Sequence, residues 1–362
     1  MKKFLIAINR LSGGGAERVA TLLANALSEK HDVYLLVKFR YPDEYQLSEK
    51  VKVHTIADSS EAFSSIGKIK RLMKIRKIAK AIHPDVLISF LPQTQVSMMI
   101  ATFGMKINKI ETVRNSPWNE NLSPLMLRLW RKCFKRADGV IFQTQEQGEF
   151  FSKKVRDKSM IFPNPVSKAC FEKERVYSER ITDFVAVGRL APQKNYPLMI
   201  KAFYKAVQEN KDLKLHIFGS GSEKEITDLT NLIDSLHLSE NVFLMGRSEN
   251  VFDEVLKRDA FIMSSDFEGM PNALMEAMAL GTVCISTNCR TGPKDLIDDK
   301  ENGFLVPVNN EDALANAILS ISQLPLSEQI KLGTSAKQKI ISLQEGNSLE
   351  ELEKMIEGFK TK

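Results

Sequence analysis

Short apolar runs recur along the whole chain, separated by longer stretches whose apolar positions repeat every three or four residues. The runs at 4–8, 33–39, 51–56, 85–90, 109–113, 139–144 and 159–162 predict strands in the first half. Those at 183–188, 213–218, 242–247, 261–263, 282–286 and 303–306 predict strands in the second. Helical spacing falls between them, as at 65–82, 198–207 and 272–280. Strands alternating with helices imply an α/β chain with parallel sheets covered on both faces. There are two such series, split near Val166, and 362 residues suit two domains better than one core. The expected division is 1–166, 167–340 and a helical tail over 341–362, with the polar run 172–180 as a linker.

Composition narrows the class. Hydrophobic content of 43% and charged content of 27% are those of a soluble globular protein. Cys133, Cys170, Cys284 and Cys289 lack histidines at zinc-type spacing, so they read as reduced core thiols of a cytoplasmic protein rather than metal ligands. The apolar run after Met1 stops at Ile8, too short for a signal sequence and right for a first strand. No run approaches a membrane span.

Net charge is only +6, so its distribution carries more information than its total. The segment 65–82 holds Lys68, Lys70, Arg71, Lys74, Arg76, Lys77 and Lys80 and no acidic residue. A second cluster, Arg128, Arg131, Lys132, Lys135 and Arg136, surrounds Trp130 and Phe134. A solvated helix face is the plain reading. The sharper one is contact with an anionic membrane surface, where each cation contributes about 1 kcal/mol. No nucleic-acid module accompanies the charge, so nucleic acid is not an expected partner.

Candidate chemistry centres on 261–281. An apolar strand at 261–263 runs into the loop Ser264-Ser265-Asp266, Gly269 and Pro271 punctuate the chain, and a helix is expected from Pro271 to about Leu280. A helix N-terminus after a glycine loop is an anion site. Glu268 before it and Glu276 about a turn inside it are odd partners for phosphate alone; they suit a diphosphate with a sugar on each side, the shape of a nucleotide-sugar. Arg189 and Lys194, five residues apart after the strand 183–188, can converge on one diphosphate, Arg as a fork and Lys as a point charge. Gly13, Gly14 and Gly15 open the first helix and let backbone approach a ligand closely. They do not form the dinucleotide fingerprint, and no acidic residue closes the second strand, which disfavours a nicotinamide site.

The stretch Glu268-Gly269-Met270-Pro271-Asn272 with Glu276, together with Gly188-Arg189-Leu190 and Lys194-Asn195, resembles the retaining glycosyltransferases of family 4, which have the GT-B fold. The resemblance covers essentially the whole chain. It implies two Rossmann-like, doubly wound domains facing a cleft, the first for the acceptor and the second for the nucleotide-sugar, with the final helix crossing back to the first domain. It places Glu268 near the donor sugar, Glu276 on the ribose, Arg189 and Lys194 on the diphosphate, and Arg247 beside the nucleobase. Gly14 and Gly15 belong to a Gly-Gly-Ala-Glu-Arg loop that touches the donor phosphate in the family, and Pro163-Asn164 matches its domain junction. Family members carry His or an Arg-Asn pair after the strand 109–113; here Arg114 and Asn115 stand there, and a histidine base is missing.

The sequence therefore reads as a metal-independent, cofactor-free hexosyltransferase that retains anomeric configuration. Its donor is expected to be UDP-linked, and its acceptor an undecaprenyl-diphosphate-linked saccharide of a bacterial capsule or O-antigen pathway. The expected catalytic set is Glu268, Arg189 and Lys194, at the inner face of the membrane. Three rivals are a metal site on Asp266 and Glu268, a nucleotide-sugar epimerase and a non-enzymatic nucleotide-sugar sensor.

Overall fold

The computed structural model describes residues 1–41, 44–56, 65–345 and 349–359. The chain divides into two compact units, Met1–Pro165 with Asn347–Lys362, and Val166–Gly346.

In the first unit the strands are β1 (Lys3–Ile8), β2 (Asp32–Val37), β3 (Lys52–Thr55), β4 (Val86–Ser89), β5 (Asn108–Thr112), β6 (Gly139–Phe142) and β7 (Ser159–Ile161). They form one parallel sheet in the order β3-β2-β1-β4-β5-β6-β7. β1 lies between β2 and β4, with Phe4 opposite Val33 on one side and Val86 on the other. Such central strands are buried on both faces, which is why they read as unbroken apolar runs rather than alternating ones. Helices α1 (Gly15–Leu27) and α15 (Leu349–Glu357) cover one face, where Leu23, Leu27, Leu352 and Ile356 pack with Phe4, Ile6 and Ile8. Helices α2 (Ser65–Ile82) and α3 (Pro92–Ala101) cover the other, where Ile75, Ala79 and Met98 meet Leu5, Ala7 and Leu87. Helix α4 (Pro124–Arg136) packs against α3 and buries Trp130 and Phe134.

The second unit repeats the plan with β8 (Asp183–Val187), β9 (Lys214–Phe218), β10 (Val242–Gly246), β11 (Ala260–Met263), β12 (Val283–Thr287) and β13 (Phe304–Val306). Their order is β10-β9-β8-β11-β12-β13, again all parallel. β8 is followed by α8 (Tyr196–Glu209), β9 by α9 (Glu223–Ser235) and β11 by α11 (Asn272–Ala279); α13 (Glu311–Ser322) and α14 (Leu326–Glu345) close the unit.

Two boundaries differ from the sequence expectation. The second unit does not stop at residue 340, because α14 continues unbroken to Glu345. Nor is 172–180 a free linker. Arg175 donates to the Asp259 carbonyl at 2.8 Å and to the Thr282 hydroxyl at 3.0 Å, and the Tyr177 hydroxyl donates to the Gly281 carbonyl at 2.9 Å. The polar residues that suggested a linker are fasteners to the second unit.

Candidate functional site

The second sheet turns at β8: chain order runs outward through β9 and β10 on one side and through β11, β12 and β13 on the other. Loops leaving adjacent strands at such a switch point diverge and leave a crevice at the carboxyl ends, where ligands bind in open α/β sheets. The loops after β8 and β11 border this crevice, and Lys194 and Glu268, one from each, are joined across it. The Lys194 ammonium donates to Glu268 Oε1 at 2.6 Å. Their side chains are 18% and 8% exposed, which makes this a largely desolvated ion pair.

Backbone and side-chain bonds hold the pair in place. Ser264 Oγ donates to the carbonyls of Lys194 and Asn195, at 2.8 and 3.0 Å. Gln193 Nε2 donates to the Phe267 carbonyl at 2.8 Å, and its own carbonyl accepts from the Asp266 N–H at 2.9 Å. Asn195 has a left-handed backbone (φ 46°), which its short polar side chain tolerates; that side chain caps α8 at Leu198 N–H and donates to Asp266 Oδ1 at 2.7 Å. On the far side, Thr287 Oγ1 and Cys289 Sγ donate to the Ser265 carbonyl, and Thr291 Oγ1 to that of Glu268. Three strand-end loops thus fix one carboxylate.

After Glu268 the chain enters α11 through Gly269, Met270 and Pro271. Pro271 occupies the N-cap rather than the first helical position, which falls to Asn272, and its ring makes no capping hydrogen bond. The positive end of the helix dipole remains directed at the loop. Gly292 sits against this entry with φ 93°, and a Cβ there would fall 2.7 Å from the Gly269 carbonyl, so the close backbone approach requires glycine. Glu276 is buried about one turn into α11.

The remaining expected residues are less gathered. Arg189 is exposed at the end of β8 and has not joined Lys194. Glu225 lies below the usual carboxylate range, chiefly because the Ser222 N–H and hydroxyl donate to it, with Arg189 adding to the effect. Arg247 is exposed just past β10. Asp266, weighed above as a metal ligand, accepts from Asn195, and Glu268 from Lys194.

In the first unit, Gly14 caps α1 in extended conformation and its carbonyl accepts from Tyr45, while Gly15 begins the helix. Arg114 is the most unusual group. It is sunk at the end of β5, its Nη1 reaches Asn164 Oδ1 at 3.4 Å, and its guanidinium lies 5.2 Å over the Phe90 ring. Nε and Nη2 are buried without a hydrogen-bond partner. Burial alone pushes its pKa down to about 9, which leaves it charged at neutral pH. The Asn115 carbonyl accepts from Gln147.

Of the basic cluster on α2, Lys68, Lys70, Lys74 and Lys77 are exposed and Arg71 is half-buried. Arg76 leaves the expected membrane set, because it donates to the carbonyls of Ala101 and Phe103, both at 2.9 Å, and so stops α3. On α4, Arg128, Arg131 and Lys132 are exposed, with Arg131 lying 4.5 Å from the Phe150 ring. Ile69, Met73, Phe103 and Leu125 are also exposed on these helices and the turn after α3. Among the described residues, no helix is long and apolar enough to cross a membrane.

Comparison with known proteins places the chain in a family. Residues 13–169 match the family described as Glycosyltransferase Family 4, and residues 171–339 that described as Glycosyl transferases group 1. A glycosyltransferase of Methanocaldococcus jannaschii is 32% identical over 253 residues, 63% of this chain and 62% of its own length. A Campylobacter jejuni protein, named GalNAc-alpha-(1->4)-GalNAc-alpha-(1->3)-diNAcBac-PP-undecaprenol alpha-1,4-N-acetyl-D-galactosaminyltransferase, is 28% identical over 99% of both chains. The crystal structure of Anabaena HepE with UDP and glucose superposes with a TM-score of 0.82 at 18% identity, covering 99% of this chain and 100% of that one. With two adjoining family matches and an α/β architecture shared with GT-B structures, the chain belongs to the GT-B glycosyltransferases of family 4, group 1.

Proposed function

We propose that this glycosyltransferase moves a hexose or N-acetylhexosamine from a UDP-sugar to an undecaprenyl-diphosphate-linked saccharide, with retention, in surface polysaccharide synthesis. The observation that carries the reading is the largely buried Lys194–Glu268 pair beside the N-terminus of α11, at the switch point of the second sheet. The UDP of Anabaena HepE and the acceptor named for the Campylobacter relative support the choice of donor and acceptor classes.

In this reading the second unit holds the donor. Lys194, Arg189 and the α11 N-terminus meet the diphosphate, Glu276 the ribose and Arg247 the base. As the bond between the anomeric carbon and the phosphate oxygen breaks, its electron pair goes to that oxygen, and these cationic groups stabilise the charge without a metal. Glu268 orients sugar hydroxyls and stabilises the positive charge growing on the anomeric carbon. The acceptor hydroxyl forms its bond on the face that the phosphate leaves, and its proton passes to the departing oxygen. The first unit receives the acceptor, with Arg114 and Asn115 at its sugar-facing loop. Lys70, Lys74, Lys77, Arg128 and Lys132, with the apolar Ile69 and Met73 between, give that unit a surface for anionic lipid.

The test is a mass-spectrometric screen of UDP-, GDP- and ADP-sugars with lipid-linked acceptors, wild type beside Glu268→Ala. One donor consumed, a sugar added with the α configuration of the donor kept, and loss in the variant are expected. An inverted product refutes the mechanism, and donor binding with no transfer to any acceptor refutes the enzyme in favour of a sensor.

A further inference from the structure

Arg114 stands just past β5, and the way it is held leaves one defined edge of its guanidinium unused. In a guanidinium, Nε–H and the near N–H of Nη2 lie side by side and form a fork that fits the two oxygens of one anion. Those are the two nitrogens of Arg114 that are buried without a hydrogen-bond partner. Nη1 alone is engaged, 3.4 Å from Asn164 Oδ1. The same oxygen accepts from Gln143 Nε2 at 2.8 Å, and the Gln143 N–H donates to Gln147 Oε1 at 2.7 Å, so the anchor is itself tied down. Phe90 supports the guanidinium at 5.2 Å; its ring is fully buried, and its N–H donates to the Ala7 carbonyl at 3.0 Å. These neighbours hold the charge in place without neutralising it. Asn164, Gln143 and Phe90 are neutral, and burial lowers the Arg114 pKa with no acidic group opposing it. Buried cations are as a rule paired, because a desolvated charge without a partner is unfavourable. An unpaired one at the carboxyl end of a parallel strand, where open α/β sheets bind ligands, points to a ligand of opposite charge.

We propose that the Arg114 fork binds the carboxylate of an acidic sugar in the acceptor saccharide. The inference rests on the reading above in which the first unit receives the acceptor, and it names the class of that acceptor: a saccharide carrying a uronic acid. Three features select a carboxylate. The two free donors are coplanar and spaced for its two oxygens. One cation among neutral groups matches a single negative charge, whereas a phosphate monoester brings about 1.5 to 2. The amide bonds at Nη1 and the Phe90 ring fix the direction of the fork, so a planar partner is favoured over one that only supplies charge. A neutral sugar hydroxyl accepts one of the two N–H groups and leaves the charge unpaired, which makes Arg114 a residue that discriminates between acceptors.

The experiment uses matched short-chain prenyl-diphosphate disaccharides ending in glucuronic or galacturonic acid, in the neutral hexose that has CH₂OH in place of the carboxylate, or in the hexose 6-phosphate. Acceptor kcat and KM are measured for wild type, Arg114→Met and Arg114→Lys. Saturation-transfer NMR with methyl glucuronide, methyl glucoside and glucose 6-phosphate reads binding without turnover. Wild type should favour a uronate over its neutral counterpart by roughly 10–100-fold in kcat/KM, carried mainly by KM. Arg114→Met should narrow that preference to within about threefold. Arg114→Lys, which keeps the charge and loses the fork, should recover part of it. The wild-type comparison needs no variant, so the proposal can fail even if a substitution unfolds the chain. Wild type that uses neutral and acidic acceptors equally overturns it, as does a uronate preference that survives in Arg114→Met. A 6-phosphate that outcompetes both uronates overturns the carboxylate in favour of phosphate. Glucuronide binding that depends on Arg114, with no transfer to any acceptor, supports the site and refutes the transferase reading. Transfer with no dependence on the carboxylate refutes the site alone.

Discussion

Replacing Lys194 by Met separates what the buried pair does for the fold from what it does for the reaction. The change keeps most of the side chain's length but leaves Glu268, whose side chain is only 8% exposed, without its 2.6 Å partner. Breaking a buried pair by removing one member costs about 3–5 kcal/mol, mostly for the charge left behind. Lys194 keeps some contact with water, so the lower end applies, about 3 kcal/mol. For a unit of this size, melting falls ~2–4 °C per kcal/mol, a drop of roughly 6–12 °C. Adding Glu268→Gln removes the orphaned charge and should return most of that loss. Turnover should behave differently. On the proposed mechanism Lys194→Met removes a cation that meets the leaving group, which should cost about 10²–10³ in kcat, and the double variant should recover none of it. Scanning calorimetry and donor turnover on the same four proteins complete the cycle. A Lys194→Met protein that melts within ~2 °C of wild type, or a double variant that loses the sum of the singles, refutes the coupling.

Glu111, buried at the end of β5 and accepting from Ser89 Oγ at 2.8 Å, has its pKa pushed up to about 8 by burial. A carboxyl raised in the folded state contributes stability that is full below its unfolded value near 4.5 and is lost as pH rises through about 8. Glu111→Gln should therefore flatten the fall in melting temperature between about pH 4.5 and about pH 8; an unchanged slope would refute the assignment. Arg114→Met should leave stability equal or higher, because it removes two buried, unpartnered N–H groups, while transfer falls roughly 10–100-fold. A variant that melts several degrees lower with full activity would make Arg114 a structural residue.

The strands were legible because both sheets are parallel and buried on two faces, so each central strand announces itself as an apolar run. Glu268 and Glu276 were legible because their spacing spans a loop and one helical turn, both local features. Convergences between distant segments were not. Arg76 looked like its neighbours on α2 and differs only in pointing at the end of α3. Lys194 turns in to Glu268 while Arg189 is exposed at the end of β8, a difference that five residues of spacing do not carry. Residues 172–180 misled for a related reason, since polar composition does not say whether side chains meet water or carbonyls.

Helix α15 reverses the order in which the two units are completed during synthesis. Leu352 and Ile356 are buried in the core of the first unit, beside Phe4 and Ile6 from the opening strand. Domains that emerge early from the ribosome usually close before later ones are made. Here the segment translated first waits, with the part of one apolar face that α1 does not cover left open, until residues beyond 349 have appeared, by which time every strand of the second sheet has been translated. Those two side chains are worth roughly 3–6 kcal/mol of burial. The nascent first unit is therefore the stage at which chaperones have most to hold.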